Sequence, residues 1–123
     1  MRSWPSVLLV LITACGIDVV PDSGDDAPPT DPEVCETSYL RYDNFGAEFS
    51  ANWCRGCHSS AIPDGERQDA PLAVNFDDEA DLRTWQDRIR VRATGVTPTM
   101  PPVGGPSAAE RQALTEWIDC GMQ

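Results

Sequence analysis

The stretch Cys54-Arg55-Gly56-Cys57-His58 governs how the rest of the chain is interpreted. Two cysteines three positions apart on one helical turn, followed at once by a histidine, form the pattern in which both thiols bond to a haem and the histidine faces its iron. The spacing therefore predicts a haem c bound covalently by Cys54 and Cys57, with His58 as an axial ligand of the iron.

Two other kinds of site also use a Cys-x-x-Cys pair. A structural zinc site needs four ligands, usually from two such pairs, whereas this chain has one pair and one histidine, which adjoins it. A thioredoxin-like redox pair needs a βαβ context, whereas the flanking segments here show helical patterns separated by Pro/Gly loops. These alternatives stay open at this point, although the haem site is favoured.

The N-terminus indicates export. An uninterrupted apolar run at residues 7–12 follows Arg2, and it is far shorter than the roughly 20 residues that span a bilayer. Residues 12–15, Ile-Thr-Ala-Cys, resemble a bacterial lipobox. We therefore predict a signal peptide at residues 1–14 and a lipidated Cys15; an ordinary signal peptide cleaved after Ala14 is the alternative. Gly16, rather than Asp, after the cysteine favours the outer membrane over the inner one.

The next segment lacks the apolar residues of a core. Residues 16–34 contain 6 acids and 4 prolines, so we predict an extended, acidic tether over residues 15–34. The remaining 89 residues, 35–123, suffice for one small domain, which needs additional staples because it buries little apolar surface. That domain carries 14 acids and 8 arginines, a net charge of −6. The acidic surface either steers a basic redox partner or is simply solvated, and no basic aromatic surface suggests nucleic acid.

The domain is predicted to be all-α, with three main helices separated by irregular loops at residues 59–76 and 93–106. The first helix covers residues 39–53, the second begins after Asp77 or Asp78, and the third follows a capping box at residues 107–110 and ends before Gly121. Each has an apolar face with helical spacing. The three faces consist of Tyr42, Phe45, Phe49 and Trp53; of Leu82, Trp85 and Ile89; and of Leu114, Trp117 and Ile118.

The second loop contains a methionine, Met100, between prolines. Pro98 and Pro101 restrict the backbone on either side, which could hold the thioether pointing inward. Without the haem motif, Met100 would be interpreted as part of a surface turn. Because His58 is the only histidine, we predict that Met100 is the second axial ligand. Met122 is the competitor, but we expect the terminus that carries it to fray.

The order of helix, Cys-x-x-Cys-His, loop, helix, Met-Pro-Pro and a last helix with Leu-x-x-Trp-Ile resembles the short class I bacterial cytochromes c, including their lipoprotein forms. The resemblance covers residues 39–121. It implies three main helices around one covalently bound haem, His58 and Met100 as the axial ligands, and one-electron transfer at an exposed haem edge. It also implies that the N- and C-terminal helices cross, with Gly46 next to Trp117.

Further expectations come from the same resemblance. In the family a proline carbonyl usually accepts a hydrogen bond from the ligand histidine; Pro71, before the haem-packing candidate Leu72, is our choice and Pro63 the alternative. The family's aromatic residue four positions before the first haem cysteine is replaced here by Ser50, so the packing of this helix against the haem differs from the family pattern.

Cys35 and Cys120 are additions to the family pattern. Cys15 is assigned to lipid and Cys54 with Cys57 to haem, which leaves this one pair in an oxidising compartment. The two residues flank the helices that cross in the family, so we expect a disulfide between them. Two free thiols, or an intermolecular bridge through Cys35, are the alternatives.

The function expected from the resemblance is electron transfer rather than enzymatic catalysis. A methionine in the sixth position raises the reduction potential and blocks small ligands. We therefore expect a lipid-anchored cytochrome c that faces the periplasm and exchanges electrons with redox proteins, some with a basic docking face. The alternatives are a haem module that senses or turns over a small ligand at an open iron, and a haem-free, disulfide-bonded lipoprotein.

Overall fold

The computed structural model of the protein describes residues 30–123. The predicted signal peptide, the predicted lipidation site Cys15 and most of the predicted tether lie outside these residues. Residues 30–123 contain helices and no strands, which confirms the all-α prediction for this part of the chain. Within it, every helix is too short or too polar to span a lipid bilayer.

Within residues 30–123, five α-helices follow one another. They are α1 (Pro32–Thr37), α2 (Ala47–Trp53), α3 (Glu79–Thr84), α4 (Gln86–Ala93) and α5 (Ala108–Asp119). A π-helical turn, Tyr42–Gly46, leads directly into α2, and a 3₁₀ turn, Asp64–Glu66, interrupts the loop after the cysteine pair. Helix α1, whose N-cap Asp31 accepts a hydrogen bond from the Glu33 N–H, begins inside the range predicted as tether.

The start of the first predicted helix differs from the expectation. The sequence predicts that this helix begins at residue 39, whereas in the structure the helical segment begins at Tyr42 with a π-helical turn. The Arg41 carbonyl accepts hydrogen bonds from the N–H groups of Phe45 at 3.0 Å and Gly46 at 3.2 Å. In addition, the Arg41 N–H donates to Asn44 Oδ1 at 2.7 Å. These bonds hold residue 41 outside the helix, so the first turn is wider than an α-helical one.

The second predicted helix is divided in two. The backbone of Trp85 leaves helical geometry, with φ −105° and ψ 10°, between α3 and α4. Just before this break, the Thr84 hydroxyl donates to the Ala80 carbonyl at 2.8 Å, a bond of the kind that bends helices. The apolar spacing of Leu82 and Ile89 is kept across the break, and both side chains are buried. The N-cap is Asp78, which accepts from the Asp81 N–H at 2.9 Å.

The core lies where the segment around α2 meets α5. Trp117 on α5 is 1% exposed and packs its ring edge-on against Phe45, at 5.8 Å between ring centroids. The six-membered part of the same indole lies over Gly46. The predicted approach of Gly46 and Trp117 is therefore confirmed. Helix α4 also packs against α5.

The expected fraying of the C-terminus is wrong, because Met122 is held in place. Its side chain is fully buried in the core, and its N–H donates to the Trp117 carbonyl at 2.8 Å. The Gly121 N–H bonds to the Ile118 carbonyl, and Gly121 has a φ of +82°. These two bonds and the left-handed glycine form a Schellman motif, which directs the next apolar residue back onto the helix.

A disulfide joins Cys35 in α1 to Cys120 at the end of α5, as expected, with 5.2 Å between the Cα atoms. Two hydrogen bonds reinforce the contact. The Thr30 N–H donates to Asp119 Oδ2, and the Ser38 hydroxyl donates to Glu116 Oε1, each at 2.6 Å. Helix α1 is therefore fastened to α5 by one covalent bond and two polar contacts.

Candidate functional site

The segment from Cys54 to His58 forms a compact turn directly after α2. The Cys54 carbonyl accepts hydrogen bonds from the N–H groups of Cys57 at 3.2 Å and His58 at 3.0 Å, and the Cys54 N–H continues the helix by donating to the Ser50 carbonyl. Both cysteines are half-buried and neither is in a disulfide. The turn thus presents two free thiols and an imidazole from five consecutive residues.

The Cys54 thiol lacks the character of a redox-active one. Desolvation by its surroundings raises the pKa of Cys54 to about 12, so the sulfur stays protonated at neutral pH. Reactive Cys-x-x-Cys pairs depend instead on a thiolate with a depressed pKa. In addition, the helices and loops of residues 30–123 provide no βαβ unit. Both observations argue against the thioredoxin-like alternative.

The ring of His58 is oriented by the loop that follows the motif. Its Nδ1 lies 3.1 Å from the Val74 carbonyl oxygen, and its ring packs against Phe76 with 4.8 Å between centroids. Because a carbonyl can only accept, the contact requires the proton on Nδ1, and in the neutral imidazole this leaves the Nε2 lone pair free. An imidazole in this tautomer is suited to binding a metal through Nε2.

The carbonyl beside His58 differs from the one expected. The sequence suggests Pro71 or Pro63, but the structure shows that of Val74. The reason is a tight turn in which the Val74 N–H donates to the Pro71 carbonyl at 3.0 Å, so that the chain reaches the imidazole three residues later. Leu72, at the outside of this turn, is 59% exposed.

Phe76 fixes the end of the loop on two sides. Its N–H donates to the His58 carbonyl at 2.9 Å, and its own carbonyl accepts from the Ser50 hydroxyl at 2.8 Å. Ser50 therefore ties α2 to the loop. The aromatic ring next to His58 is that of Phe76. No periodicity in the sequence identifies this role for Phe76.

A buried arginine, Arg67, organises the loop from inside. Its side chain is 1% exposed, and its guanidinium is hydrogen-bonded to five oxygen atoms at 2.7–3.3 Å, three of which share the two N–H groups of Nη2. These are the carbonyl oxygens of Ser59, Ala70, Pro71 and Val74, and Oδ1 of Asn75. Sequence reasoning missed Arg67, because a single arginine in a polar loop carries no pattern that predicts burial.

Asp77 connects the motif to the start of α3. Its Oδ2 accepts from the N–H of Ser60 at 2.8 Å and from the Ser60 hydroxyl at 2.7 Å, and its Oδ1 lies 3.6 Å from Arg55 Nε. The hydroxyl of Ser59, the hydroxyl and N–H of Ser60 and the charge of Arg55 together lower the pKa of Asp77 to about 2. The carboxylate is therefore ionised over the whole physiological range.

Met100 lies in a separate loop. Its N–H and that of Thr99 both donate to the Arg92 carbonyl at 2.9 Å, which fixes the loop to the end of α4. The Met100 side chain is 40% exposed, and its loop neighbours Val96 and Val103 are 82% and 88% exposed. This loop therefore presents apolar side chains that are not covered by residues 30–123.

The chain matches no family model, no curated protein and no solved structure.

Proposed function

We propose that residues 35–123 form a monohaem cytochrome c domain that carries single electrons between redox partners and is not an enzyme. The observation that carries this proposal is the pairing of His58 with Val74. It leaves Nε2 free for a metal, on a histidine that directly follows two free thiols on the same turn.

The residues of the motif fit a haem c. Cys54 and Cys57 would hold it through thioether bonds, and His58 would ligate the iron through Nε2. When bound, the haem supplies an iron that gains or loses one electron, which comes from one redox protein and passes to another. The Val74 carbonyl keeps the proton on Nδ1, and Phe76 limits rotation of the ring. Preorganised in this way, the imidazole needs little rearrangement when the charge of the iron changes.

Two further features support the proposal. Leu72, in the loop after the motif, and Val96, Met100 and Val103, in the second loop, are exposed apolar side chains that a bound haem would partly cover. The close approach of Gly46 and Trp117 is what the resemblance to class I cytochromes c implies for the crossing of the terminal helices. Within this proposal, Pro71 and Leu72 pack near the haem.

Met100 is proposed as the sixth ligand. The Arg92 carbonyl fixes the backbone of residues 99 and 100, so the thioether starts from a defined position. Met122, the other candidate, is buried in the core with its backbone bonded to α5. A thioether on the iron blocks small ligands and favours electron transfer over sensing or turnover at an open iron.

The proposed location rests on Cys15 and the proposed partners rest on the net charge. A lipidated Cys15 would anchor the protein to the bacterial envelope, at the outer membrane, with the domain facing the periplasm. The net charge of −6 on residues 35–123 would favour redox partners with a basic docking face.

The test is to express the full chain together with the cytochrome c maturation machinery. We expect the absorption spectrum of a low-spin haem c and retention of the haem after denaturation and acid–organic extraction. The matched control is the Cys54→Ser/Cys57→Ser variant, from which extraction should remove any haem. A wild-type protein that loses its haem on extraction, or has no haem band at all, contradicts the proposal; the second result would indicate a haem-free, disulfide-bonded lipoprotein.

A further inference from the structure

One carbonyl oxygen connects the buried arginine to the candidate iron ligand. The Val74 oxygen accepts a hydrogen bond from Arg67 Nη2 at 2.9 Å and lies 3.1 Å from His58 Nδ1. A carbonyl has two lone pairs and can accept from two donors at once. Arg67 and His58 therefore share one acceptor, and a change at the guanidinium alters the bond made by the imidazole.

The positive charge of Arg67 is hydrogen-bonded to neutral oxygen atoms rather than paired with a carboxylate. The guanidinium is almost completely buried, and its five acceptors are four backbone carbonyls and one amide oxygen. Within residues 30–123, the carboxylates that form salt bridges belong to Asp77, Glu79 and Asp119, and their partners are other arginines. Water and salt screen a buried charge only weakly, so its field acts on the neighbouring groups.

We propose that Arg67 is a positioning residue for His58 that raises the reduction potential of the site. It holds the Val74 carbonyl in place and puts a positive charge next to the oxygen that also contacts the imidazole. This inference rests on the function proposed above, because it concerns the potential of the haem that His58 would ligate.

Two effects of Arg67 act in the same direction. First, a second donor on the Val74 oxygen draws electron density away, which weakens the bond from His58 Nδ1–H and makes the imidazole a less electron-rich ligand. A less electron-rich ligand stabilises the oxidised iron less. Second, the positive charge itself favours the form that carries one more electron. Replacing Arg67 by a neutral residue should therefore favour the oxidised form.

The variants Arg67→Gln and Arg67→Lys test this in the haem-loaded full chain. For Arg67→Gln we expect the equilibrium constant for one-electron reduction to fall about tenfold, which is about 59 mV. We also expect the Nδ1 proton resonance of His58 in the reduced protein to move downfield, because its hydrogen bond strengthens. Arg67→Lys, which keeps the charge, should recover most of the equilibrium constant.

The control is Arg83→Gln. Arg83 also donates to backbone carbonyls, those of Gly121 and Met122, but these belong to the C-terminus. We expect this variant to change neither the equilibrium constant nor the His58 resonance. A purely structural role for Arg67 would lower the melting temperature of Arg67→Gln and leave both of these readouts as in the wild type.

The outcomes separate the two proposals. If the wild type carries covalent haem but Arg67→Gln shows an unchanged potential and an unchanged Nδ1 resonance, the inference about Arg67 is wrong and the proposed function stands. If the wild type carries no covalent haem, the proposed function itself is wrong. Should Arg67→Gln fail to fold, Arg67→Lys decides. Its single amine cannot serve all five acceptors, so a downfield Nδ1 resonance is expected and an unmoved one overturns the inference.

Discussion

Trp117 packs so closely over Gly46 that a Cβ atom at residue 46 would lie only 2.5 Å from Trp117 Cζ2. The indole cannot move away easily, because it is 1% exposed and its Nε1 donates to the Gln123 carbonyl at 3.2 Å. The absence of a side chain at residue 46 is therefore what allows the two segments to pack at this distance.

Gly46→Ala should destabilise the protein. Alanine gains about 1 kcal/mol of helix propensity over glycine, but overpacking typically costs about 1–3 kcal/mol, and here the obstacle is a rigid buried ring. We expect a net loss of about 1–2 kcal/mol, seen as a fall of roughly 4–8 °C in Tm per kcal/mol. Thermal unfolding followed by circular dichroism measures it.

Two controls separate the clash from a general effect of alanine. A Cβ at Gly65 would meet nothing within 4 Å, so Gly65→Ala should leave the Tm nearly unchanged. The double variant Gly46→Ala/Trp117→Phe should lose less than the sum of the two single losses, because the smaller ring makes room. Strict additivity would contradict a direct contact between residues 46 and 117.

Replacing Met100 and replacing Met122 should affect different properties of the protein. Met100→Ala should abolish the methionine–ferric charge-transfer band and allow the reduced protein to bind carbon monoxide. Met122→Ala should keep that band but lose about 2–5 kcal/mol of stability, because it removes a fully buried side chain. Absorption spectra and urea unfolding of both variants measure these effects, and an unchanged spectrum of Met100→Ala would rule out its role as a ligand.

Features that depend on neighbouring residues could be predicted from the sequence. The turn at residues 54–58 and the capped start of α5 are examples: the Ser107 hydroxyl accepts from the Glu110 N–H, and Glu110 accepts from the Ser107 N–H. The burial of Met122 also depends on neighbouring residues, since an apolar residue directly after Gly121 is typical of a Schellman motif. The expectation that chain termini fray does not take this motif into account.

Features that depend on the path of a loop could not be predicted. The burial of Arg67 and the approach of the Val74 carbonyl to His58 arise only when residues 59–76 close around the guanidinium. The break at Trp85 is similar, because the spacing of Leu82 and Ile89 fits one continuous helix equally well. Only the side-chain bond of Thr84 and the backbone of Trp85 distinguish the two cases.

The disulfide should make a large contribution to the free energy of unfolding. It closes a loop with a sequence separation of 85, for which the chain-entropy model gives about 4–5 kcal/mol. We expect a smaller loss in Cys35→Ser/Cys120→Ser when haem is bound, since the haem also restricts the unfolded chain. Urea unfolding with and without reductant measures it, and the double variant should be insensitive to reductant. Alkylation of both thiols in the native wild type would be inconsistent with the disulfide.

Cys15, outside the described residues, should determine membrane association. In the wild type we expect the protein in the detergent phase after Triton X-114 partitioning, because acyl chains on Cys15 would be its anchor. Cys15→Ser should move it to the aqueous phase with an unchanged haem spectrum. A Cys15→Ser protein that still fractionates with membranes would indicate a different anchor, such as an uncleaved N-terminal segment.

Asp77 should make the free energy of unfolding depend on pH in the acidic range. Its pKa is lowered from 3.8 to about 2 in the folded protein, so the unfolded chain binds the proton more readily. The contribution of the carboxylate is therefore fully present above about pH 4 and is lost as the pH falls towards 2. Because the side chain is 25% exposed and screened by water, we expect a contribution of about 1 kcal/mol.

Asp77→Asn tests this, because it removes the charge and keeps the shape. At pH 7 we expect a free energy of unfolding about 1 kcal/mol below that of the wild type, with the difference shrinking between pH 4 and pH 2 as the wild-type carboxylate is protonated. Urea unfolding at pH 7, 4, 3 and 2 measures the two curves. Glu66→Gln, an equal change in charge at an exposed residue of the loop before Asp77, is the control for net charge. If the curves for Asp77→Asn and the wild type stay parallel down to pH 2, the bonds from Ser60 and the charge of Arg55 do not stabilise the ionised carboxylate.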